Sequence, residues 1–144
     1  MPKVSPTPLQ MPSEDDMIRC IRIWTNDAGN SSFEEGVIGL SGGKDGDFIG
    51  STVGATSVSF RETRPDQALE WHDAPTYQLV LTLGGTLEFT THDHQSFIIR
   101  PGDVLLAEDT TGTGHVWRII GEEPWRRAYV ILPEGRDVGF KAKR

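Results

Sequence analysis

All four histidines of this 144-residue chain fall in one block, residues 71–130. An imidazole titrates near neutral pH and both takes and gives a proton, so His72 and His115 are candidates for general acid/base chemistry. His92 and His94 form a His-x-His, a spacing that sets two imidazoles on one side of a strand and is a known metal-ligand arrangement. Trp71, Tyr77 and Trp117 flank these polar residues, and flat apolar surface with a few polar groups is what small-molecule pockets use.

The segments that must position these side chains read as strands. Ile18, Ile21 and Ile23 bring β-branched residues into a short run that ends at Trp24 and the turn Asn26-Asp27-Ala28-Gly29-Asn30. A second run covers 32–40 and gives way to a flexible Gly-rich loop over 41–46. Residues 54–63 alternate, with Val58, Phe60 and Glu62 on one face and Ser57, Ser59 and Arg61 on the other. Further strands are expected at 77–83, 86–91, 96–100, 104–107, 115–120 and 127–132. Short strands divided by Gly and Pro, without a sustained 3.6-residue period, argue for an all-β, antiparallel sandwich or barrel with minor helix. The expected organisation is a Pro-rich extended arm over 1–16, one domain over 17–140 and a basic tail over 141–144.

Composition narrows the partners. A net charge of −7 with pI about 5.0 opposes binding to phosphate backbones, so nucleic acid is not an expected partner. The single cysteine, Cys20, excludes an internal disulfide and reads as a buried strand residue in a reducing compartment. No apolar run approaches the roughly 20 residues that span a bilayer, and the first twelve residues lack a secretory apolar core, so the cytoplasm is the expected location.

Two motifs give the block a family likeness. His72-Asp73-Ala74-Pro75-Thr76-Tyr77-Gln78, followed after six intervening residues by Gly85, resembles the second half of the first cupin motif, G-x5-H-x-H-x3-4-E-x6-G. Pro101-Gly102-Asp103 leading to His115 is similar to the second, G-x5-P-x-G-x2-H-x3-N, with a spacer two residues longer and Ile119 in place of Asn. The resemblance implies a cupin-type double-stranded β-helix, a jelly-roll barrel. It also implies that His72 and His115 project from facing strands into the barrel cavity, while His92 and His94 sit at an exposed hairpin tip.

The cupin metal set is broken at two places, because Ala74 stands where the second His belongs and Gln78 where the Glu belongs. No cofactor is favoured. Were a divalent metal (Fe, Mn, Ni or Zn) bound, His72, Gln78 and His115 would be its ligands, with a carboxylate such as Glu62 or Asp109 completing the set. The expected catalytic residues are His72, His115 and Gln78, the last orienting His72. Trp117 is the expected pocket wall, since it shares the face of His115, whereas Tyr77 faces opposite Gln78. Arg61, Glu62, Asp109 and Val80 complete the expected substrate contacts, with Arg61 suited to an anionic group. Residues 108–114 read either as a rim over the cavity mouth or as a plain connecting loop.

The function implied is that of a small-molecule enzyme, a metal-independent isomerase, cyclase or lyase of secondary metabolism working by His acid/base chemistry. A metal-dependent cupin oxygenase or lyase and a non-enzymatic metabolite-binding cupin are the alternatives. A homodimer is the oligomer that the resemblance implies.

Overall fold

The computed structural model describes residues 17–67 and 70–143; the expected arm over 1–16 lies outside the described residues. The chain opens with the hairpin β1 (Ile18–Thr25) and β2 (Ser31–Ile38). The stretch expected to be a flexible loop carries a small hairpin of its own, β3 (Ser41–Gly42) and β4 (Phe48–Ile49). There follow β5 (Ser57–Thr63), β6 (Gln78–Gly84), β7 (Thr86–Thr91), β8 (Ser96–Ile99) and β9 (Val104–Glu108). The last are β10 (His115–Ile120), β11 (Trp125–Ile131) and β12 (Phe140–Ala142). Among the described residues there is no helix, so the minor helix expected from sequence is not found there. Lys141 and Ala142, expected in a basic tail, belong to β12 and pair with β2.

The strands form a jelly-roll sandwich. One sheet has seven strands in the order β12-β2-β1-β9-β6-β11-β5, and a three-stranded sheet, β10-β7-β8, faces it. One pairing departs from the antiparallel expectation, since β1 runs parallel to β9 with Cys20 opposite Val104 and Ile23 opposite Ala107. Period-2 alternation sorts the side chains. Leu87, Phe89, Phe97, Ile99 and Trp117 of the small sheet meet Ile21, Ile23, Val80, Leu105 and Trp125 of the large one in a single buried cluster. Phe89 is 1% exposed, stacked on Phe97 at 5.0 Å and edge-on to Trp125 at 5.9 Å; truncating such a ring to Ala costs about 3–5 kcal/mol.

Residues 104–107 are an unbroken apolar run because both faces of their strand are covered. Leu105 and Ala107 point into the sandwich, while Val104 and Leu106 join Cys20, Leu132 and Val138 in a second cluster on the outer side. At the opposite edge β5 is exposed along nearly its whole length. Between β6 and β7 the turn needs Gly85, whose φ is +88° and whose place a Cβ would occupy only 2.7 Å from the Pro124 carbonyl oxygen.

Candidate functional site

The site begins at the first residue of β10. The backbones of His72 and His115 pair as an isolated antiparallel bridge, His72 N–H donating to the His115 carbonyl at 3.0 Å and His115 N–H to the His72 carbonyl at 2.8 Å. This staples the segment before β6 to the start of the small sheet and leaves the two rings 4.8 Å apart, centroid to centroid. The strands therefore bring together the two imidazoles that the sequence separates by more than forty positions.

Their surroundings differ. His115 is 4% exposed, and its Nδ1 lies 2.6 Å from Oδ2 of Asp109, a side chain with no exposure at all. The Ser31 hydroxyl donates to the same oxygen, also at 2.6 Å, while Oδ1 of Asp109 has no partner among the described residues. A carboxylate at Nδ1 assigns the proton of neutral His115 to that nitrogen, so the lone pair sits on Nε2. His72 is exposed and its Nδ1 meets the Glu70 carbonyl oxygen at 3.0 Å, so that carbonyl rather than Gln78 orients the ring.

Both imidazoles line a cavity of about 470 Å³ on the inner face of the large sheet. Its floor is Gln78 and Val80 of β6 with Leu105 and Ala107 of β9; Ser59 and Arg61 of β5 and Tyr129 of β11 form one wall. The segment 72–76 closes it on the side of His72. A groove of about 500 Å³ elsewhere centres on Arg19, whose guanidinium already meets Glu35 at 2.6 Å and Asp103 at 2.8 Å. That contact holds the Glu35 carboxyl below its ordinary range, and no histidine lines the groove.

The sequence model of the AraC-like ligand binding domain matches residues 56–136, more than half of the chain and the whole of this cavity's lining. The chain is a cupin of the AraC-like ligand binding domain family. Among solved structures, this cupin is similar to a chain titled ethanolamine utilization protein Q from Salmonella typhimurium LT2. That likeness has 17% identity and a TM-score of 0.40, over 81% of this chain and 97% of that one. No curated protein matches it.

Of the residues expected at the cupin's cavity, His72, His115, Gln78, Val80 and Arg61 line it. Three do not. Trp117 does point into the sandwich, but it packs on Trp125 at 4.6 Å beneath the Arg127 guanidinium and fills the core, so Tyr129 supplies the aromatic wall instead. Glu62 faces the other side of β5, where its carboxylate accepts from Arg126 at 3.0 Å; the one-residue step from Arg61 reverses its side. Asp109 is buried behind His115 and touches the cavity only through that ring.

Residues 108–114 form no rim over the mouth. Thr113 N–H donates to the Gly29 carbonyl at 2.9 Å and the Thr25 hydroxyl to the Thr111 carbonyl at 3.0 Å, which ties this loop to the β1–β2 turn. His92 and His94 lie in the β7–β8 turn as the motif register implies, His92 stacked on the exposed Trp71 ring at 3.8 Å and His94 at φ 62°. Tyr77 faces away, its hydroxyl 3.4 Å from Glu134.

Sequence reasoning missed Tyr129 and Arg127. Arg127 is 2% exposed, its Cζ 3.8 Å from the Trp125 ring centroid, and burial lowers its pKa from the ordinary value. Its Nε donates to the Tyr129 hydroxyl at 3.0 Å and its Nη1 to the Thr63 hydroxyl at 2.8 Å. The signal was alternation in β11, which puts Trp125, Arg127 and Tyr129 on one inward face.

The metal that a cupin fold implies does not fit this donor set. The position of the second His is the buried methyl of Ala74, and Gln78 is neutral where a carboxylate belongs. Among the described residues no group of three or more His, Cys, Asp or Glu side chains converges, whereas iron, manganese or zinc centres take about three protein ligands. No helix among the described residues is long and apolar enough to cross a membrane.

Proposed function

We propose that this cupin binds a small, partly apolar metabolite in the cavity and isomerises, cyclises or cleaves it by proton transfer. His115 is the base and His72 the second acid/base group. The observation that carries the reading is the buried Asp109–His115 pair, because a carboxylate at Nδ1 holds the ring and stabilises the imidazolium that forms when Nε2 takes a proton. In an isomerisation, Nε2 removes a proton from a carbon next to a carbonyl, the electron pair shifts toward oxygen, and the proton returns at a second carbon. Gln78 donates a hydrogen bond to the substrate, and Val80, Leu105 and the Tyr129 ring hold its apolar body. A homodimer and a cytoplasmic setting belong to the same proposal, and sedimentation of the purified protein reads the first.

The test is solvent isotope exchange. Incubated with a small-metabolite extract in D2O, the protein should place deuterium on carbon in at least one metabolite, and His115→Ala should abolish it. Equal labelling with and without the imidazole removes the mechanism.

The family match favours a second reading, a metabolite-binding module without turnover. Saturable retention of a metabolite with no label and no change of mass selects it over the first.

A further inference from the structure

Two guanidinium groups flank the same tyrosine at the cavity wall. Arg61 Cζ lies 5.2 Å from the Tyr129 ring centroid and Arg127 Cζ lies 5.5 Å from it. Arg19, Arg22, Arg118 and Arg126 each meet a carboxylate, but Arg61 and Arg127 make no ion pair among the described residues. The nearest carboxylate in sequence, Glu62, is turned away and held by Arg126. In a chain of net charge −7, Arg61 thus brings to the cavity wall a positive charge that pairs with no carboxylate among the described residues, with Arg127 behind Tyr129. An anion brought to the exposed Arg61 guanidinium makes charge-assisted hydrogen bonds to donors that meet no carboxylate among the described residues.

The Tyr129 hydroxyl adds direction. Its oxygen accepts from Arg127 Nε, so its own hydrogen is left for another acceptor. Ser59, next to Arg61 on the same face of β5, offers a further hydroxyl to the cavity. The only carboxylate in the lining among the described residues is Asp73, which adjoins His72 rather than Arg61.

We infer that the cavity selects a small organic acid, its carboxylate held by Arg61 and the Tyr129 hydroxyl and its body extending toward His115. Arg127 is a positioning residue that acts through Tyr129. The inference rests on the cavity being the ligand site named above and adds the class of ligand.

Benzoate and 3-phenylpropionate, compared with their amides by calorimetry on the full chain, test it. Each acid should bind at least about tenfold more tightly than its amide, as expected where a charged hydrogen bond replaces a neutral one. Arg61→Gln, at an exposed position that should fold normally, should bring the acids down to the affinity of the amides and leave the amides unchanged; Arg61→Lys should restore part of the difference. Arg127→Lys should keep the acid preference and Arg127→Met should lose it with amide affinity retained. Equal affinity of acid and amide, no binding of either acid, or a preference that survives Arg61→Gln overturns the inference. His115→Ala should leave the preference intact, so a failed isotope exchange with a preserved preference sinks the catalytic reading alone, and the reverse result sinks only the ligand class.

Discussion

Asp109 Oδ2 receives two hydrogen bonds, from His115 Nδ1 and from the Ser31 hydroxyl, each at 2.6 Å, and all three side chains are buried. The ring that lines the cavity is therefore anchored from β1–β2 as well as from its own strand. Asp109→Ala leaves an imidazole N–H and a hydroxyl without an acceptor, so it should destabilise the fold by about 3 kcal/mol in urea unfolding. Asp109→Asn, which keeps the shape but offers no anion, should fold nearly as well and lower His115-dependent isotope exchange by about 100-fold or more. Exchange at the original rate in a folded Asp109→Asn protein would detach the carboxylate from the chemistry.

Gly114, one residue before His115, has φ +72°, and a Cβ there would lie 2.1 Å from the His72 carbonyl oxygen. Gly114→Ala should cost more than about 3 kcal/mol and break the His72–His115 bridge, since backbone strain and a backbone clash add. Gly102→Ala is the control, because its φ is +93° but nothing among the described residues lies within 4 Å; it should cost about 1 kcal/mol. Thermal midpoints of the two variants that fell together would contradict the close packing of Gly114 on His72.

Burial pushes the Cys20 thiol from its ordinary 9.0 up to about 12. The native thiol should resist iodoacetamide at pH 8 and react once urea unfolds the chain. A raised thiol pKa in the folded state contributes stability that is complete below pH 9.0 and is lost as pH rises toward about 12, because the unfolded thiol ionises first. Denaturation midpoints measured from pH 8 to 11 should fall across that window, and Cys20→Ala should flatten the decline.

With Ala74 and Gln78 at two of the usual ligand positions, protein supplied with iron, manganese, nickel and zinc and then dialysed should retain less than about a tenth of an equivalent of any of them. Ala74→His together with Gln78→Glu should raise that figure. Full occupancy of the unaltered chain, measured by elemental analysis, would reverse the assignment.

Much of the fold was legible because alternation and turn residues act locally. β10 spans the expected residues, and the Gly85 and Pro101-Gly102 turns set the register that puts His92 and His94 at a tip and His115 at the cavity. What escaped depended on distant partners. Trp117 has the inward direction alternation assigns, but only its contact with Trp125, from another strand, shows that it is core and not wall. Arg127 received no role because the expected strand opened at 127, which left Trp125 and the aromatic face of β11 out of its alternation. β12 follows a Gly- and Pro-rich stretch and is too short to carry a period, so its pairing with β2 left no local trace.

The parallel contact of β1 with β9 joins residue 20 to residue 104. Until the ribosome has released β9, β1 and β2 are a lone ribbon, and two-stranded ribbons are marginal in water. Closure of the large sheet must therefore wait for most of the chain, and the nascent polypeptide spends that interval with the isoleucine face of β1 bare. High sequence separation of this kind slows folding and prolongs the exposure of that face.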